Sequence, residues 1–443
     1  MSLIRHAVVL MVFALSACAK AEKPPEAVWP PKPTREFLAL SARDQNLAVY
    51  DAFVSAIESN YYDSKYLASD EWRGMKTTWR EKAANVGQMP FALHNEVLRE
   101  MLKHLPESHF SVEYPKNPGE SSTPEPSERA KETVERYKRL YPLYAVGPGL
   151  ECVKVRRGTQ EFFLVGDVWP DTLAEENGIR PGWRTIVCQQ TLSIEDNAVH
   201  FVGEFVPLDA DAAHAWERGQ GDETAPPPGS LVHVRFDHRM IKYRQLFETR
   251  RLDGGVRYVR FNGFGDAEFL KPVFEAIDSA GPEGLIIDLR WNGGGLADQM
   301  KRIAAALMGA GVLVGSIVER SGQSEMRSST YTKRYTGPLV VLVGPLSGSA
   351  SEILAAAVQD QKRGRLVGRM TNGSVLQSQQ FALPDSGYVQ VPISNYFRND
   401  GRRIEGAGVA PDVWILPTLD DVRAKRDPVL DRALQELKKW GHS

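Results

Sequence analysis

The chain has 443 residues, enough for about three domains of ordinary size. A hydrophobic fraction of 42% beside 25% charged residues is that of a globular protein with a real core. The 54 Lys and Arg balance 56 Asp and Glu, and no basic run or stripe occurs, which argues against nucleic acid as a partner.

Residues 1–17 read as a signal peptide. Arg5 supplies a charged start, and Ala7 to Leu15 is an apolar run too short to span a bilayer. Leu15-Ser16-Ala17-Cys18 resembles a bacterial lipobox, which implies cleavage before Cys18 and lipid on its sulfur. Several acyl chains on one cysteine anchor stably, where one is marginal. The expectation is a lipoprotein of the bacterial cell envelope, exposed to the periplasm. Ala19 after the cysteine resembles the pattern sorted to an outer membrane. An ordinary export signal, with Cys18 discarded or free, is the competing reading. Residues 18–39, rich in Pro, Ala, Lys and Glu, are a flexible tether. The only other cysteines, Cys152 and Cys188, can pair in an exported protein, and spacing alone leaves that open.

Residues 40–114 form an N-terminal helical domain. Leu47, Tyr50, Val54, Ile57 and Tyr61 make one buried stripe; Trp72, Met75 and Trp79, then Leu98, Met101 and Leu105, repeat the spacing. Residues 115–139 are a Pro-, Ser- and Glu-rich linker. From 140 to 250 the texture is β, with strands at 149–155, 162–165 and 231–236, a short helix at 171–177, and a surface insertion at 208–229. The lead-in Gly147-Pro-Gly149-Leu150 and the turn Gly178-Ile-Arg-Pro-Gly182 resemble a PDZ domain. The resemblance implies that Gly147, Gly149 and Leu150 hold the carboxylate of a peptide added as a strand. A PDZ-shaped spacer that binds nothing is the alternative.

Residues 251–417 alternate strand and helix, an α/β core, and 418–443 end in an amphipathic helix. In this core Pro338 to Val343 reads as a buried strand, Gly344 to Gly348 as a tight turn, and Ser349 onward as a helix. Ser349 thus stands at a helix amino terminus, where amides are unpaired and negative charge is favoured. It is either a cap, since Ser349-x-x-Glu352 is a capping box, or a nucleophile. Asp288-Leu-Arg-Trp-Asn-Gly-Gly-Gly-Leu296 follows another buried strand. Its glycines permit close approach to a ligand, or simply a tight turn. There is no zinc-ligand spacing, no His-Glu-x-x-His and no Gly-x-Ser-x-Gly, so no metal or cofactor is implied.

Together, the helical start, the inserted PDZ-like block, the Asp-Leu-Arg-x-Asn-Gly-Gly-Gly turn, Ser349-Ala-Ser-Glu-Ile and Gly408-Val-Ala-Pro-Asp412 resemble the C-terminal-processing, or tail-specific, serine proteases over roughly residues 40–435. The resemblance implies an α/β multidomain protein with a crotonase-like ββα protease core. It implies a Ser349 nucleophile and an oxyanion hole from Ala350 with Gly294 or Gly295. The best-known members carry a lysine base where this chain has Ser374, which has no proton-accepting power near neutral pH. Lys362 lies too far along the nucleophile's helix to replace it. A tricorn-type branch instead uses Ser, His and Glu. By that likeness His109, in Ser108-His109, is the general base and Glu405 steadies it, with Ser108 and Ser374 as auxiliary groups. The expected function is a lipid-anchored serine endopeptidase acting near the C-termini of envelope proteins or peptides. The alternative is a non-catalytic PDZ-bearing lipoprotein that binds C-termini.

Overall fold

The computed structural model describes residues 32–87, 92–107, 109–113, 144–158, 160–192, 199–221, 230–237, 239–242 and 247–440. The signal peptide, Cys18 and the first part of the tether, Ser108, and the 115–139 linker lie outside the described residues. Among the described residues no helix is long and apolar enough to cross a membrane.

The strands of the α/β core are short runs of Val, Leu and Ile, and they pair as expected of a sheet buried on both faces. Six form one sheet: β9 (Phe247–Arg251), β10 (Arg257–Phe261), β11 (Leu285–Asp288), β14 (Leu339–Val343), β15 (Arg365–Gly368) and β18 (Val413–Trp414). Their order is β18-β15-β14-β11-β10-β9, parallel except for β9. Alternate side chains serve opposite faces. Leu285, Ile287, Leu339, Val341 and Val343 join the core made with helices Ala267–Asp278, Ala297–Met308 and Ala350–Asp360. Ile286, Val340, Leu342 and Val367 instead pack on Val429, Leu430, Ala433 and Leu437 of the C-terminal helix, Pro428–Trp440.

A second sheet runs β1 (Ser111–Glu113), β17 (Tyr388–Phe397), β12 (Leu313–Glu319) and β13 (Gly322–Arg327), with β16 (Gln377–Ala382) also paired to β17. Its far face carries the helical domain. Tyr50, Phe53, Ile57 and Trp72, from helices Ala42–Asn60 and Asp70–Asn85, share one core with Val389 and Val391 of β17. The third expected helix departs from regular form. Leu93–Leu98 is a π-helical stretch, Arg99–Leu102 a single α-turn, and Leu105 lies beyond both although it is buried. Pro106 disfavours continuing the helix through Leu105.

Residues 150–237 form a sheet ordered β3 (Leu150–Arg157), β4 (Gln160–Val168), β5 (Arg184–Leu192), β6 (Val199–Val206) and β7 (Val232–Asp237). Beside it, β2 (Tyr144–Gly147) pairs β8 (Arg239–Lys242). The 208–229 stretch, expected as a surface insertion, is corrected in its first half. Asp209 caps a helix, Ala210–Glu217, whose Trp216 is buried and packs edge-on to Phe162 at 5.1 Å. Cys152 and Cys188 form a disulfide with Cα atoms 6.5 Å apart. It ties β3 to β5 and closes a loop with a sequence separation of 36. By the chain-entropy account such a crosslink contributes about 3–4 kcal/mol. Cys188→Ser should therefore lower the denaturation midpoint of the β domain by roughly that free energy, and dithiothreitol should lower the wild type to match; urea titration followed by tryptophan fluorescence checks both.

Candidate active site

Three turns meet at Ser349, and short-range hydrogen bonds built into the sequence hold each one. The turn after β14 is closed by Ser347, whose hydroxyl accepts from Gly344 N at 3.0 Å and donates to Leu289 O at 2.7 Å. Asn292, fully buried, organises the glycine turn. Its amide donates to Phe261 O at 3.0 Å, and its Oδ1 accepts from Gly294 N at 2.9 Å. Its backbone oxygen accepts from Gly348 N and from the Ser351 hydroxyl, which joins the glycine turn to the Ser349 turn.

Ser349 has φ +52° and ψ −120°, a region that non-glycine residues rarely occupy. Such strain costs on the order of 1–3 kcal/mol and persists where the surroundings over-determine it. Gly294 shows how tight those surroundings are. Its own φ is +107°, and a Cβ there would lie 2.6 Å from Ser349 Cβ and 3.1 Å from Ala350 N. The glycine backbone therefore lies directly against the nucleophile candidate, as only glycine permits. Ala350 N–H finds no acceptor among the described residues. Gly294 N–H is given to Asn292, so of the two expected glycine donors only Gly295 has an uncommitted amide among the described residues.

The capping box exists in a modified form. Its well-formed half is Ser349 N donating to Glu352 Oε2 at 3.1 Å, while the serine hydroxyl makes no cap hydrogen bond of normal geometry. Glu352 does far more than cap. It is fully buried and also accepts from the Thr371 hydroxyl at 2.6 Å, Gly373 N at 2.7 Å and Ser374 N at 2.9 Å. Ser374 O accepts from Ser349 N in return, at 2.9 Å. Burial pushes the Glu352 carboxyl up to about 7, against those hydrogen bonds and with the charge of Glu405 adding to the rise.

Glu405 is also buried, at 4% exposure, and accepts from Val375 N at 2.7 Å and Leu376 N at 3.3 Å. The successive backbone N–H groups of residues 373–376 are thus held by two carboxylates. His109 is half-buried with φ +64° and lies two residues past Glu107. Glu107 is buried, ion-paired to Arg403, and within electrostatic reach of Glu405. Ser349 thus contacts Ser374 directly, Glu405 holds the two residues that follow Ser374, and the segment carrying His109 is pinned to the loop carrying Glu405. Lys362 is exposed beyond the far end of the nucleophile's helix, away from Ser349.

The β domain reaches the same place. Arg157, at the end of β3, donates to Asn372 O at 2.7 Å and Thr371 O at 2.8 Å, and Gly158 N donates to Gly406 O at 2.8 Å. Burial draws the Arg157 guanidinium down to about 10, with Glu352 and Glu217 opposing the fall. Glu217 pairs with buried Arg369 and accepts from Trp414 Nε1 at 2.8 Å. Trp169 meets Trp291 of the glycine turn with ring centroids 5.6 Å apart. The expected peptide-binding lead-in is braced rather than open at its middle. Gly149 has φ +82°, with Thr172 where a Cβ would stand, and Pro148 O accepts from Ala174 N. Leu150 is buried in the β-domain core, and Gly147 ends β2.

Residues 255–415 match the sequence profile described as peptidase family S41. These residues are therefore a peptidase family S41 domain. A carboxyl-terminal-processing protease of Synechocystis sp. is 36% identical over 249 residues, covering 54% of this chain and 56% of that protein. A carboxy-terminal-processing protease of Bartonella bacilliformis is 31% identical over 173 residues, covering 37% and 40%. The chain thus spans little more than half, or less, of the length of these relatives. The solved structure of a photosystem II D1 C-terminal processing protease matches 85% of this chain and 93% of its own, with a TM-score of 0.55 and 21% identity. The mixed α/β multidomain fold is therefore similar to that of this protease.

Sequence reasoning took Glu352 for a cap and missed Arg157 altogether. A lone Glu in the apolar run Ala350 to Val358 was the available signal for the first; nothing local marked the second. Glu352 has a measurable consequence. A carboxyl raised from 4.5 to about 7 binds its proton more tightly in the folded state, so its contribution favours folding below about pH 4.5 and is lost as pH rises through 7. Replacing it by Gln should remove on the order of 3 kcal/mol of this pH dependence. The difference between wild-type and Glu352→Gln stability curves from pH 4 to 8 checks this, because the constant cost of the amide does not vary with pH.

Proposed function

We propose that the chain is a serine-type endopeptidase that cleaves proteins or peptides near their C-termini through an acyl-enzyme. One observation carries this reading: Ser349 is held at positive φ between a buried strand and a buried helix, with the Gly294 backbone against its Cβ and the Ala350 N–H unclaimed beside it. That arrangement presents a hydroxyl to a carbonyl carbon and a donor to its developing oxyanion. Gly295 is the second donor in this reading, and the Gly294 N–H joins only if Asn292 releases it. Ser374, at the position of the missing lysine, gives Glu352 its backbone N–H and supplies no base. His109 takes the Ser349 proton, and Glu405 steadies the imidazolium directly or through an intervening group. Ser108 and Ser374 remain auxiliary hydroxyls.

The same reading takes the 150–237 sheet as a PDZ-like module presenting substrate C-termini, with Gly147, Gly149 and Leu150 at its binding edge, and the 251–417 core as crotonase-like. It places the protein in the envelope, anchored through Cys18 and facing the periplasm. The Cys152–Cys188 disulfide supports an oxidising compartment. The relatives' names, as C-terminal-processing proteases, support the substrate class.

Ser349→Ala should abolish labelling by a fluorophosphonate probe and cleavage of a fluorogenic peptide with a free C-terminus. His109→Ala should slow both by ~10²–10⁴-fold, the usual contribution of a positioned general base. Wild-type protein that neither labels at Ser349 nor cleaves would establish the competing reading, a binding protein that lacks the lysine and has no substitute for it.

A further inference from the structure

The segment before His109 and the segment before Glu405 are tied together by a charge pair outside the proposed triad. Glu107, with 6% exposure, directs one carboxylate oxygen to the Arg403 guanidinium and accepts on the other from the Tyr62 hydroxyl. Tyr62 accepts in turn from Asn395 Nδ2 of β17 at 2.9 Å. Arg403 is delivered by a short hairpin: Gly401 N donates to Arg398 O, Arg398 N to Arg402 O, and Phe397 bridges Arg403. Ile404, fully buried, then seats Glu405 under segment 375–376. On the other side Leu105 is buried in the helical domain and Ser111 begins β1. Between those anchors, Glu107 and His109 lie in a turn.

We infer that Glu107 and Arg403 are positioning residues: their ion pair sets the His109 turn of the helical domain against the Glu405 loop of the core, and so fixes the base relative to Ser349. The inference rests on the reading in which His109 is the general base. Glu107 and Arg403 lie two residues before His109 and Glu405, respectively, so a shift of either segment moves one proposed triad member away from the other. A misplacement of about 1 Å at a catalytic group can cost ~10²-fold in rate. Among the described residues no other cation is paired with Glu107. The pair is faced by Tyr62 and Glu405, and Glu405 repels Glu107.

The test separates positioning from stability. Removing Arg403 alone leaves the buried Glu107 charge unpaired and destabilises the fold, whereas neutralising both partners does not. Arg403→Gln should lose thermal stability and slow fluorophosphonate labelling of Ser349 by about 10- to 100-fold, with KM for the fluorogenic peptide nearly unchanged. Glu107→Gln combined with Arg403→Gln should recover most of the stability and none of the labelling rate. Arg403→Lys, which keeps the charge, should recover part of both. A double variant that labels at the wild-type rate would overturn the inference and leave the His109 reading intact. A His109→Ala variant that labels like wild type would overturn both, since no base would remain to be positioned.

Discussion

The site depends on one buried carboxylate. Glu352 receives four donors: one from Ser349, the rest from Thr371, Gly373 and Ser374. It lies on the first turn of the helix that Ser349 begins, so the strained serine and the segment facing it are fixed to a single rigid group. An acidic side chain in that turn is also where the helix dipole favours negative charge. The arrangement is costly, because full burial penalises the charge even with every oxygen engaged. A neutral Gln would keep one acceptor and turn the other into a donor facing N–H groups. The carboxylate is therefore matched to the backbone it holds, and Ser349 keeps its unusual φ because its own N–H and that of Gly348 are already committed.

The β domain is fastened to this same region rather than to a remote face. Arg157 closes on the carbonyl oxygens of Thr371 and Asn372, and Thr371 also donates its hydroxyl to Glu352. Glu217 and Arg369 make a second buried attachment, two residues before Thr371. Buried ion pairs are weak contributors to stability but demanding in geometry. Here they set the register between the two units beside the apolar contacts of Leu346 and Trp291. Any displacement of the β domain is transmitted through Arg157 to backbone that Glu352 and Ser349 also use.

The fold was legible where local chemistry decides it. The runs at β10, β11, β14 and β15, the helices between them, and the C-terminal helix follow from period and turn residues alone. The strand-turn-helix around Ser349 and the glycine turn could be read the same way. What could not be read depends on partners far away in sequence. Ala210–Glu217 looked like an insertion because its polar texture gives no sign that Glu217 faces Arg369. The strands β13 and β16 were missed because their polar, largely exposed runs lack the alternation that marks a buried strand. The helix ahead of His109 was expected to run through Leu105; a π-helical stretch and Pro106 end it sooner.

The charge inventory at the site bears on the missing lysine. Two carboxyls at the site, Glu107 and Glu352, are displaced upward chiefly by burial, and the charge of a third, Glu405, adds to both rises. Arg403 offsets the first and Arg157 faces the second from across the interface. A lysine at position 374 would add a permanent cation beside Glu352, draw its carboxyl down and compete for its oxygens. With serine there, Glu352 is left to the backbone, and the acidic surroundings favour a base that turns cationic only as it accepts the serine proton. In the proposed triad a histidine has that property, since it becomes an imidazolium only on taking the serine proton, when nearby negative charge is most useful. The exchange of lysine for serine is thus consistent with the three buried acids, and the burden of orientation passes to whatever fixes the turn at His109.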